Sequence, residues 1–341
     1  MGILDWFINR PAQFDPDRSS EELIERAIDK AVQLTNPRIK LVRDYRQRLR
    51  PAVGVTIDYL RSAVQALPAP IDVASSRWSD TPSLRAFFAA HQDVARTVGR
   101  SSNLRTLFEK YPQLDQACFV LGMACEEQRV FGMALSGDVV QREVAQTVLV
   151  FSDHQARICG QDENEVRRLV GVQAFEYLVA EALAQAGEER SERRELEEAR
   201  ALLRARLRLL EQQGPGFGSI LGAPAGASAE RARLESELME NEQQLESCVP
   251  PEGVLEAEFE LLNAVLAAPG DYLVFEARHT RLSTLNVVLE GNAEEAGLVV
   301  DYSLVRGSGM KQGRRAFVLG RFARADLNDT GLDFAQASRL L

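Results

Sequence analysis

The sequence predicts an α+β protein: a predominantly helical body with an antiparallel coiled-coil hairpin and a small antiparallel β-sheet. Three observations lead there. Apolar residues recur at helical spacing through residues 19–125 and 162–186. Two charged, leucine-lined arms flank a stretch rich in glycine and proline at 214–226. After Gly270 the chain turns to short β-branched and aromatic runs separated by glycine.

The bulk properties set the limits. The chain has 341 residues, 40 basic and 50 acidic, for a formal charge of −10. With 45% hydrophobic and 26% charged residues, it is neither wholly disordered nor fibrous. The acidic balance argues against coating nucleic acid over a whole surface. Three segments are expected: a helical domain at 1–187 with an inserted β-hairpin at about 128–154, a helical hairpin at 188–248, and a C-terminal helix with a small β segment at 249–341. The four cysteines form no CxxC pair, which favours a reducing, cytoplasmic location. No secretory signal is read at the start. The purest apolar run, Ala117 to Cys125, is about half the ~20 residues that a membrane-spanning helix needs.

The elements follow in order. Ser19 and Glu22 have capping-box spacing and open a helix that ends at Asn36-Pro37. A second helix is expected over 38–66. Thr81-Pro82 opens a third, with Leu84, Phe87, Phe88, His91, Val94 and Val98 on one stripe. Further helices are expected at 103–111 and 113–125, the latter placing Cys118 and Cys125 on one face. Gly137-Asp138 between two runs, the second rich in valine, predicts the hairpin. Asp162 and Glu165 make another capping box, for a helix to about Ala186.

In the first arm Leu196, Leu203 and Leu210 stand one heptad apart. In the second, Leu234, Leu238, Asn241, Leu245 and Cys248 are spaced four, three, four and three, the seam of a coiled coil, with Asn241 selecting a register. At 1.5 Å per residue the first arm would be roughly 39 Å long. A further helix precedes Pro269-Gly270. Strands are then expected at 272–275, 282–289, 298–305 and 316–322, and whether the earlier hairpin joins them is open.

No phosphate loop, dinucleotide fingerprint, HExxH, GxSxG or zinc spacing occurs, and no cofactor or metal is expected. The function expected is therefore non-catalytic: a cytoplasmic scaffold or adaptor that self-associates or docks a protein partner. Its binding residues would be Leu203, Leu210, Leu234 and Leu238 on the arms and the apolar tip Phe217, Ile220 and Leu221. The alternative is an anion- or nucleic-acid-binding module on the glycine-rich loop 306–315, through Arg306, Lys311, Arg314 and Arg315. A second basic cluster spans 37–50, six basic residues against Asp44 alone. A third reading is an enzyme using His154 as a general base, with Asp153 beside it and Cys159 five residues on.

Overall fold

The computed structural model describes residues 16–136, 139–213, 227–248, 250, 253–289, 297–308 and 314–327. It is a mixed structure, 58% helix and 26% strand, so the helical excess read from periodicity holds while the sheet is larger than expected. The chain divides into two compact units, one built from Gly54–Tyr177 and Ala268–Leu341, the other from Ser20–Val53 and Leu178–Ala267.

The first unit is organised by one six-stranded sheet. Its strands are β1 (Ile71–Asp72), β2 (Gln116–Ser136), β3 (Val139–Gly160), β4 (Leu273–Leu282), β5 (Leu298–Gly307) and β6 (Arg314–Ala323). The order is β3-β2-β6-β5-β4, antiparallel throughout, with β1 adding a parallel pair to the part of β6 that β5 leaves open. The hairpin and the C-terminal strands therefore share one sheet.

Residues 113–125, expected as a helix, are mostly strand. Ala117, Phe119, Leu121 and Met123 point to one face, while Cys118 and Val120 point to the other, and all are buried. A run covered on both faces loses its alternation, so periodicity cannot separate it from a buried helix. Cys118 and Cys125 consequently fall on opposite faces. Both are free thiols, and burial pushes the Cys118 thiol up.

Helices cover the Phe119 face: α3 (Pro82–Phe87), α4 (His91–Thr97) and α5 (Ser102–Lys110). With α1 (Pro16–Leu34) and α2 (Tyr45–Gln65), these are the helices before the hairpin. The single helix expected after Thr81 is broken, because Phe88 and Ala90 are extended and the indole of Trp78 donates to the Phe88 carbonyl at 2.9 Å. Leu84, Phe87, Phe88, Val94 and Val98 still reach one core. The helix expected over 38–66 is also divided, into a 3-10 turn at Pro37–Leu41 and α2, with Asp44 at φ 52° between them.

On the opposite face, Val166 and Val170 of α6 (Glu163–Gln213) pack against Val120, Phe317 and Leu319. The Asp162 carboxylate accepts from the Glu165 N–H at 2.8 Å, while Glu165 reaches back to the Gln161 N–H, so the predicted capping box forms with its return bond one residue early. α6 then runs without interruption through Gly187.

Of residues 282–289, expected as a strand, only Leu282 belongs to one, as the end of β4, and the rest make isolated bridges, Val288 to Leu282 and Val287 to Val148. A left-handed Asn286 (φ 59°) prevents a regular ladder.

In the second unit, α1, the start of α2, α6, α7 (Ala227–Ser247) and α8 (Val254–Ala267) bury residues such as Ile28, Leu49, Leu178, Phe259 and Leu266. The basic cluster at 37–50 is largely consumed here. Arg46 binds Glu25 at 2.8 Å and Asp29 at 2.5 Å, Arg50 binds Glu25, and Arg48 binds Glu256 and Glu260 while lying 4.2 Å over the Phe259 ring.

Candidate functional site

The arms come first, because the sequence places most of its candidate residues there. Along α6 the half-buried positions include Leu196, Leu203, Leu207 and Leu210, whereas Leu202 and Leu209 are exposed. Along α7, Leu234 and Asn241 are buried and Leu238 and Leu245 half-buried. The least exposed positions of both helices thus follow three- and four-residue spacing. Arg204 binds Glu242 at 2.6 Å, and Arg190 binds Glu258 of α8 at 3.2 Å. The outer faces carry ion pairs within each helix: Arg193–Glu197, Arg194–Glu198, Arg231–Glu235 and Arg233–Glu237. Each such pair contributes only a few tenths of a kcal/mol. The Asn241 carboxamide oxygen has no hydrogen-bond partner, a cost consistent with a register-selecting residue. The tip residues Phe217, Ile220 and Leu221 lie outside the described residues.

The basic loop is placed less favourably. Lys311 and the Arg314 side chain lie outside the described set. Val305 is opposite Arg315 across the β5–β6 ladder, so Arg315 shares the Val305 face while Arg306 turns to the other. Arg315 also binds Asp153 at 2.8 Å, which holds the Asp153 carboxyl below its ordinary value. Arg306 is exposed.

His154 sits where β3 bulges at Asp153, and its ring stacks on Phe88 at 4.5 Å. Burial lowers its pKa, partly offset by a hydrogen bond with the Phe87 backbone, and its Nε2 is buried without a partner. Burial also pushes the Cys159 thiol up to about 12, the opposite of what a nucleophile needs. These are packing environments.

His154 does predict a pH dependence. Its unfolded imidazole titrates near 6.5 while the folded one titrates lower, so between those values the unfolded chain binds more protons and stability rises with pH. Thermal melts should therefore show stability falling as pH drops from 7.5 to 5.5, and His154→Gln should flatten that slope. An unchanged slope would contradict a buried neutral imidazole. The Asp153 carboxyl titrates below this window.

Among the described residues, no cluster of three or more His, Cys, Asp or Glu could hold a metal ion. A cavity between Asn36, Ile39, Ala182 and Leu262 in the second unit has room for about one water.

Two functional-looking arginines were missed by sequence reasoning. Arg167, with its side chain 17% exposed, binds Glu163 and donates to the carbonyls of Val64, Leu67 and Pro68 at 2.7, 3.0 and 3.1 Å. Arg324 donates to Phe108, Tyr111 and Leu114 carbonyls while lying 4.8 Å from the Phe108 ring centroid. Each closes the C-terminal end of a helix from a distant part of the chain, and neither has a local signal.

Among the described residues, no helix is long and apolar enough to cross a membrane. No protein-family model matches the chain, and no match is found among curated proteins or solved structures.

Proposed function

We propose that this protein is a non-catalytic scaffold or adaptor that works in the cytoplasm. Its two helical arms form an antiparallel coiled-coil hairpin and present the 214–226 tip to a protein partner. The observation that carries the reading is the match between the two arms. The less exposed positions of both, Leu196, Leu203 and Leu210 on α6 and Leu234, Leu238, Asn241 and Leu245 on α7, follow three- and four-residue spacing. Arg204 of α6 also binds Glu242 of α7 at 2.6 Å, and the buried Asn241 supports one register for such a pairing. Long charged rods bury little per residue, and their use is reach or interface.

The catalytic reading has less support, since both His154 and Cys159 are set in packing environments that suit neither base nor nucleophile. The anion-binding reading has less as well, with Arg315 engaged by Asp153.

Affinity capture with the full chain tests the proposal, comparing it with a variant in which 214–226 is replaced by a short glycine-serine link. Loss of a stoichiometric partner from the variant is the expected result. Retention of every partner would remove the tip from the interface.

A further inference from the structure

Ion pairs with other helices take only the second half of the basic cluster at 37–50. Arg46, Arg48 and Arg50 meet carboxylates of α1 and α8. Among the described residues Arg38 and Lys40 meet none, and Arg43 has only its neighbour Asp44, at 3.4 Å, with the Arg43 side chain 95% exposed. So open a pair holds little. In a chain with 50 acidic residues for 40 basic ones, a cation left without a carboxylate is the less expected outcome.

Leu41 lies among these cations and is 78% exposed. The turn that carries it is fixed from within. Pro37 opens the 3-10 turn, and the Asn36 carboxamide accepts from the Arg38 N–H at 3.0 Å while donating to Glu258 at 2.6 Å. The Val42 N–H donates to the Ile39 carbonyl at 2.9 Å. Side chains three apart share a line in such a turn, and here Ile39 and Val42 are the buried pair. Their burial leaves Arg38, Lys40, Leu41 and Arg43 on the outside, where all four are exposed. A single exposed leucine is ordinary on a protein surface. One held in a fixed turn between unclaimed cations makes a patch of mixed chemistry.

We infer that this turn docks the chain on an anionic lipid surface. Phospholipid headgroups supply the negative charge that Arg38, Lys40 and Arg43 lack, and a leucine set among those cations reaches the boundary of the acyl chains. Because the backbone is already fixed, little conformational entropy is lost on contact. Nucleic acid would take the cations and leave Leu41 in water, and residues 37–44 carry no ring on which a base could stack. Three cations and one leucine, with Asp44 opposing them, give an attachment that is weak, reversible and sensitive to salt. The inference does not rest on the arms or their tip.

Sedimentation of the full chain with vesicles tests it, comparing phosphatidylcholine alone with an equal mixture of phosphatidylcholine and phosphatidylglycerol. The chain should sediment with the mixed vesicles only and should be released by high salt. Lys40→Gln combined with Arg43→Gln should weaken binding about 30-fold, and Leu41→Ser about tenfold, each with unchanged circular dichroism. Arg194→Gln combined with Arg233→Gln removes the same charge from two exposed arginines of the arms and should leave binding as it is. So should the 214–226 replacement, which keeps this test apart from that of the tip. Absence of binding to the mixed vesicles, equal binding to phosphatidylcholine alone, or a Leu41→Ser variant that binds like the parent would each overturn the inference. So would equal weakening by the arm variants, or preferential binding to a DNA oligonucleotide that needs Lys40 and Arg43 but not Leu41.

Discussion

Replacing Arg167 with methionine is expected to destabilise the first unit by about 2–4 kcal/mol. The α2 helix ends without a basic residue in its last turn, so its terminal carbonyls have no cation of their own sequence. Arg167 supplies one from α6, spreading its guanidinium over the Val64, Leu67 and Pro68 carbonyls while Glu163 holds it from behind. Charge-assisted bonds to a helix C-terminus combine hydrogen bonding with the dipole. Methionine keeps the stem and removes every donor, leaving three carbonyls and a carboxylate to find water in a site that is mostly covered. Lysine should recover less than half, because one ammonium cannot fork across the same acceptors. Urea denaturation followed by circular dichroism measures both. A methionine variant within about 0.5 kcal/mol of the parent, the range of ordinary surface substitutions, would show that water satisfies these groups equally well.

Gly320→Ala is the second large expectation, at about 1–3 kcal/mol. Gly320 lies in β6 between Phe119 of β2 and Ile71 of β1. A Cβ there would stand 2.7 Å and 2.8 Å from Phe119 ring carbons and 2.9 Å from a Val73 methyl. Phe119 and Val73 are both fully buried, so neither can move aside without displacing the helices above the sheet. Combining Gly320→Ala with Phe119→Leu should then cost less than the two single substitutions together, since the smaller side chain makes room for the added methyl. Additive losses in denaturant melts would show that the ring is not what limits this position.

How far the sequence was legible depended on where each signal resides. The capping residues at 162–165, the helices of the two arms, and the strands at 298–305 and 316–322 were readable because the determinants are local: side chain to nearby backbone, or apolar spacing along one segment. Residues 113–125 were misread because both faces of β2 are covered, one by α3, α4 and α5 and the other by α6, and that burial leaves no alternation to detect. The break at Phe88 was invisible for a related reason, since it is held by Trp78 and filled by His154, residues outside the segment itself. Of the candidate residues, Leu203, Leu210, Leu234 and Leu238 are among the less exposed positions of their helices. Of the basic residues at 306–315, Arg306 and Arg315 are turned to opposite faces by strand alternation, and Asp153 engages Arg315, a pairing with no signal in the local sequence.

Composition and periodicity by themselves determined the helical excess, the antiparallel strands and the charged arms, since each is a property of side chains within a turn or two of one another. Tertiary structure alone decided that the strands of the described residues form one sheet and that Arg167 and Arg324 close helices to which they do not belong. Those outcomes depend on which distant segments meet, and on the chain's need to satisfy every buried backbone group and fill every gap, conditions that no local window contains.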